Sequence, residues 1–63
     1  MPIVQIHMLA GRSTDQKRAL ADKVTKAICE TANCPADAVK IIISDMAHED
    51  YAVGGVLHAD TKK

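Results

Sequence analysis

Pro2 holds the most unusual chemical prospect in this sequence. With proline in second place the initiator Met1 is expected to be removed, because methionine aminopeptidase accepts small neighbours, and the chain then begins with a secondary amine. An α-amino group titrates at about 7.7 to 8.0 before perturbation, and burial beside cationic side chains disfavours its protonated form further. Such an amine is a general base near neutral pH. A Met-Pro start is common in proteins without catalysis, so the dipeptide only nominates the group. Taken singly, Arg12 reads as a solvated loop residue ahead of a helix, Lys40 as an exposed strand lysine and Tyr51 as a packing residue.

Other chemistries lack their parts. The sequence has no phosphate-cradling glycine loop, no nucleophile elbow and no carboxylate pair near a histidine, so hydrolase, kinase and dehydrogenase readings fail. His7, His48 and His58 are scattered without a metal-ligand spacing, read as structural or solvent-exposed, and predict no bound metal. Cys29 and Cys34, five apart, read as reduced and structural, since a bridge would close a very small loop. Eight Lys+Arg balance eight Asp+Glu, and Tyr51 is the sole aromatic residue. Charge neutrality and the missing stacking platform exclude nucleic acid as a partner and argue against a membrane surface. No apolar run reaches the roughly 18 to 20 residues that span a bilayer, and no secretory signal opens the sequence, which predicts a cytoplasmic protein.

The residues that could act must be positioned by three elements. From Pro2 to Leu9 the pattern alternates, with Val4, Ile6 and Met8 on one face and Ile3, Gln5, His7 and Leu9 on the other, which predicts a strand. Ser13-Thr14-Asp15-Gln16 is a capping-box start, and Leu20, Val24, Ala27, Ile28 and Thr31 or Ala32 form the apolar stripe of a helix ending near Asn33, before Pro35. Val39 to Met46 is rich in β-branched residues and predicts a second strand. A crossover helix of this length joins two parallel strands in a right-handed βαβ unit. Tyr51 to Leu57, apolar pairs around Gly54-Gly55, reads as a short hairpin or edge segment. The fold class is therefore α+β, in a single domain spanning residues 1–63.

A 63-residue chain buries only about 60% of its unfolded surface and needs further stabilisation. One helix covers one face of a two-stranded sheet, leaving Ile3, Leu9, Ile42 and Met46 on the other. The tail is too short to cover that face well. Self-association is the expected remedy.

Taken together, Met1-Pro2-Ile-Val-Gln-Ile-His7, Leu9-Ala-Gly11-Arg12-Ser13, Gln16-Lys17, Ile41-Ile42-Ile43-Ser44-Asp45-Met46 and Tyr51-Ala-Val-Gly54-Gly55 resemble the 4-oxalocrotonate tautomerase family over essentially the whole chain. The resemblance implies small βαβ subunits assembled as homo-oligomers, commonly hexamers built as trimers of dimers, with no metal or organic cofactor. It implies an isomerase that interconverts 2-hydroxydienoates and unsaturated 2-keto acids, in the family's context of aromatic-compound breakdown. On this resemblance Pro2 is the general base and then acid, Arg12 binds a substrate carboxylate, and Tyr51 stands at an aromatic pocket-wall position usually held by Phe. The backbone near Leu9 contributes a substrate-binding amide. Lys40 departs from the pattern, standing where the best-known members carry an arginine that polarises the 2-oxygen; lysine keeps the charge and loses the two-point fork.

Seven strand residues at about 3.3 Å each separate Pro2 from the far end of the first strand by more than roughly 20 Å. If Pro2 and Arg12 serve one site, Arg12 comes from a neighbouring subunit whose strand runs antiparallel. Whether the useful copy of Lys40 is intramolecular stays open, although the resemblance implies a neighbour. Two alternatives also stay open: a hydratase, dehalogenase or decarboxylase using the same proline, and a non-catalytic oligomeric scaffold. Water activation would want a carboxylate, and spacing alone assigns that role to none of Asp45, Glu49 or Asp50. Lys62 and Lys63 read as a mobile basic tail able to attract a dicarboxylate.

Overall fold

The computed structural model describes residues 2–61, so Met1 and the expectations for Lys62 and Lys63 lie outside the described residues. Strand β1, Ile3–Leu9, leads into helix α1, Thr14–Ala32, and strand β2, Lys40–Met46. A hairpin of β3, Ala52–Val53, and β4, Val56–Leu57, follows, with a final turn of helix, α2, His58–Thr61. β1 and β2 pair in parallel with Ile3 opposite Lys40 and Leu9 opposite Met46. This is the expected α+β arrangement, one βαβ unit and a short hairpin, while α2 was not anticipated.

Local sequence explains the helix ends. The Ser13 N–H donates to Gln16 Oε1 at 2.9 Å and the Gln16 N–H donates to Ser13 Oγ at 3.1 Å, which satisfies two otherwise orphaned donors. Asp15 lies in the first turn, where the helix dipole favours an acid. At the other end Asn33 adopts the left-handed conformation, φ 57° and ψ 57°, and stops the helix. In the tail, Gly54 and Gly55 both take positive φ, 62° and 84°, as a two-residue turn of the twist-matched type requires.

Packing follows the alternation. Val4, Ile6 and Met8 of β1 and Ile41 and Ile43 of β2 are half-buried beneath α1. The stripe facing them runs through Lys17, Leu20, Ala21, Val24, Thr25, Ile28 and Cys29, all half-buried. Ala27, Thr31 and Ala32 are exposed, a correction to the expected stripe: small residues carry little phase information, and the face is turned towards Ala21, Thr25 and Cys29. Lys17 Nζ reaches Asp45 Oδ2 at 2.6 Å, pinning the start of α1 to the carboxyl end of β2.

The opposite sheet face is open at Ile3 and Ile42, whereas Leu9 and Met46, expected to be left uncovered with them, are half-buried. Ile3 is 60% exposed and Ile42 48%, and the tail packs on itself and on the His48–Asp50 turn rather than over them. No described apolar side chain is fully buried. The subunit measures 42 × 24 × 13 Å with a radius of gyration of 14.8 Å, where a compact chain of this length has about 11 Å. Its accessible surface is 4745 Å², against about 4,000 Å² for a compact chain of this size.

The capping box gives a direct test. Ser13→Ala is expected to cost about 1 kcal/mol in urea or thermal unfolding, with Ser13→Thr recovering most of it.

Candidate active site

β1 and β2 begin at one edge of the sheet and end at the other, and this sorts the residues singled out from sequence into two groups. At the amino edge the Lys40 N–H donates to the Pro2 carbonyl at 2.9 Å, so the parallel ladder begins by joining these two residues. Pro2 is half-buried and Lys40 exposed. The Lys40 ammonium donates to the Asp37 carbonyl at 2.9 Å, in the short turn Ala36–Ala38 that delivers the chain into β2. That turn is closed by Ala38 N–H to Pro35 carbonyl and Val39 N–H to Ala36 carbonyl bonds, each 3.1 Å. The lysine's direction is thus set by backbone that lies beside Pro2 in the fold.

The carboxyl edge carries the rest. Leu9 ends β1 opposite Met46, and the Ala10 N–H extends the ladder to the Met46 carbonyl at 2.8 Å. Arg12 follows in the loop before α1 and is exposed. Tyr51 comes five residues after Met46, beyond the turn His48–Asp50, and is 41% exposed. With seven-residue strands the two edges lie about 20 Å or more apart. One subunit brings Pro2 and Lys40 together at one edge and sets Leu9, with Arg12 in the loop that follows, at the other.

One grouping had no signature in the sequence. The rings of His48 and His58 meet edge to face with centroids 4.9 Å apart, and the Tyr51 ring lies 6.3 Å from His58. The hairpin reversal creates this cluster: the His58 N–H donates to the Tyr51 carbonyl at 2.8 Å, bringing residues ten apart side by side. His58 packs against Tyr51 and His48 against His58, which gives both histidines the structural role expected, while His7, on the open face, is exposed. Among the described residues no three His, Cys, Asp or Glu side chains gather as a metal site, and no helix is long and apolar enough to cross a membrane.

Asp45 is held by Lys17, while Glu49 and Asp50 are exposed in the turn before Tyr51. The exposed pairs Arg18–Asp15 and Lys26–Asp22 stay within α1 and leave Arg12 outside any ion pair among the described residues.

Comparison with known proteins agrees with the fold. A family described as "Tautomerase enzyme" matches residues 2–61. The 2-hydroxymuconate tautomerase of Pseudomonas putida is 40% identical over 63 residues, covering all of both chains. Among solved structures, a homologue of 4-oxalocrotonate tautomerase called YwhB superimposes with a TM-score of 0.92 at 38% identity, covering 97% of this chain and all of that one. A heterohexameric 4-oxalocrotonate tautomerase from Chloroflexus aurantiacus J-10-fl gives a TM-score of 0.90 at 34% identity, covering 98% of this chain and all of that one.

Proposed function

The chain belongs to the tautomerase family, and from that premise we propose that it is a homo-oligomeric, amino-terminal-proline tautomerase interconverting 2-hydroxydienoates and unsaturated 2-keto acids. The observation that carries the reading is the backbone bond from the Lys40 N–H to the Pro2 carbonyl, which brings the residue of the candidate base and a cationic residue to one sheet edge. A substrate of the 2-hydroxymuconate type fits this frame, and that compound names the Pseudomonas putida relative.

In this reading, removal of Met1 frees the Pro2 nitrogen. The amine takes the proton of the 2-hydroxyl group, whose oxygen becomes the carbonyl as the electron pair moves along the diene. The prolinium then returns the proton to carbon, so the amine is regenerated and nothing is consumed. Lys40 stabilises the negative charge gathering on the 2-oxygen, a charge that exists mainly in the transition state. The same cation disfavours protonation of the amine and keeps it a base near neutrality. Arg12 offers a carboxylate its planar fork of donors. Tyr51 forms the apolar wall that excludes water, and the backbone at Leu9 adds a donor to the substrate.

The two-edge geometry supports a site shared between subunits. A neighbour whose strand runs antiparallel sets its Leu9, Arg12 and Tyr51 beside this chain's Pro2 and Lys40. Two such exchanges occur across each twofold pair, since an isologous contact is reciprocal. The open face, with Ile3 and Ile42 more than a third exposed, supplies the apolar surface for assembly. A trimer of dimers is the assembly we propose, and the heterohexameric relative is consistent with it.

Ketonisation of 2-hydroxymuconate followed by ultraviolet absorbance, on protein whose intact mass confirms loss of Met1, tests the mechanism. Pro2→Ala is expected to fall about 10²- to 10⁴-fold, the usual weight of a positioned acid–base group, with the oligomer intact by sedimentation. A Pro2→Ala rate within twofold of the parent refutes the proline mechanism. Arg12→Ala is expected to raise KM more than about tenfold, since it removes a charged hydrogen bond to a bound carboxylate.

Shared sites predict complementation. Pro2→Ala and Arg12→Ala chains, each nearly inactive alone, are expected to regain about a quarter of the parent rate when co-refolded in equal amounts, because random assembly rebuilds that fraction of sites. A mixture no faster than its components places both residues in one chain. Assembly itself is tested by Ile42→Glu, which is expected to give dissociated subunits in sedimentation velocity and to abolish turnover.

A further inference from the structure

The carboxyl end of α1 holds a pair of thiols that no step of the proposed reaction uses. Cys29 lies on the half-buried stripe of α1, three residues before the last helical residue, Ala32. Cys34 follows Asn33, whose left-handed backbone turns the chain back over the final turn. In such caps the second residue past the helix folds against the residue five before it, as an apolar contact between the two. Here both members of that contact are cysteine. Both are free and half-buried, and the Cys34 thiol lies close enough to Cys29 to disfavour its thiolate.

We propose that Cys29 and Cys34 form a reversible disulfide across the cap of α1, a modification site separate from the proposed catalytic groups. The co-reactant is a low-molecular-weight disulfide such as glutathione disulfide. One thiolate attacks a sulfur of the glutathione disulfide, expelling a glutathione thiolate and leaving a mixed disulfide on the protein. The second thiolate attacks the protein sulfur of that mixed disulfide and expels the second glutathione. Two protein thiols lose two electrons and two protons, and one disulfide is reduced to two thiols.

The order of attack follows from the surroundings. Partial burial, the neighbouring Cys34 and the Glu30 carboxylate all push the Cys29 thiol up from its ordinary value. A thiol so disfavoured as thiolate suits the resolving role, which Cys29 takes here. Between Cys34 and Lys40 stand only Pro35–Val39, which include the turn whose Asp37 carbonyl receives the Lys40 ammonium. The oxidised cap consequently fixes the root of that turn to the helix end.

The test does not depend on activity and so stands or falls apart from the tautomerase reading. Reduced full-length protein is incubated with excess glutathione disulfide in mildly alkaline buffer, alkylated with iodoacetamide and weighed intact. The expected product is a monomeric chain lighter by two hydrogen atoms, carrying no alkyl group and no glutathione, and restored by dithiothreitol. Cys29→Ser and Cys34→Ser are each expected to stop at one bound glutathione, with Cys29→Ser acquiring it faster. A parent chain that ends with two glutathiones, with two alkyl groups, or linked to a second chain overturns the proposal.

Discussion

Everything in this subunit follows from covering a two-stranded sheet with a single helix. α1 buries one face of β1 and β2 to about half and reaches no further, so the subunit is only 13 Å thick in its shortest dimension. Hydrophobic burial is the principal favourable term in folding, and a layer pair this thin has little of it. Local terms carry a large share instead: the capping box, the left-handed stop at Asn33, the Lys17–Asp45 tie and the two-glycine turn. Such terms shape the elements well. They do not replace a core, and the apolar face through Ile3 and Ile42 is where a core would have to be completed.

Strand length is the second consequence. Seven paired residues on each strand hold the amino and carboxyl edges apart, and each edge carries part of the proposed site: Pro2 with Lys40, and Leu9 with Arg12 and Tyr51. A longer loop could not bridge that distance without leaving the strand ladder. An antiparallel neighbour bridges it without any change of conformation, since its carboxyl edge lies beside this chain's amino edge. In the proposed assembly the surface that completes the core also completes the site, so folding, association and activity become one constraint.

Much of this was legible in the sequence because the signals are local. Ser13 to Gln16 spelled out the helix start, alternation gave the first strand and β-branched richness the second, each within a residue, and Gly54-Gly55 marked the hairpin turn. Right-handed crossover logic then gave the parallel pairing. The helix phase was only approximate, because Ala27 and Ala32 look apolar on paper yet bury too little to set a face. The His48–His58 contact was invisible because it depends on where a hairpin returns, and α2 because four residues carry almost no periodic signal. The residues of the proposed site were nominated one by one through the resemblance. The division of that site between two edges came from strand arithmetic, which the observed register supports.

On the resemblance Lys40 stands where an arginine is expected, and its surroundings bear on how a lysine would serve there. An arginine would present a planar fork with two parallel donors, fixing a substrate oxygen by geometry. A lysine ammonium has three donors on a flexible stem and loses orientation unless something holds it. Here the Asp37 carbonyl takes one donor, at 2.9 Å, and leaves two for a substrate. That bond spends conformational entropy before any ligand arrives, as preorganisation demands. In the proposed mechanism one charge both stabilises the developing enolate oxygen and keeps the Pro2 amine unprotonated. Its position therefore sets base strength and transition-state stabilisation together, and the Ala36–Ala38 turn that holds it becomes as much a part of the chemistry as the proline.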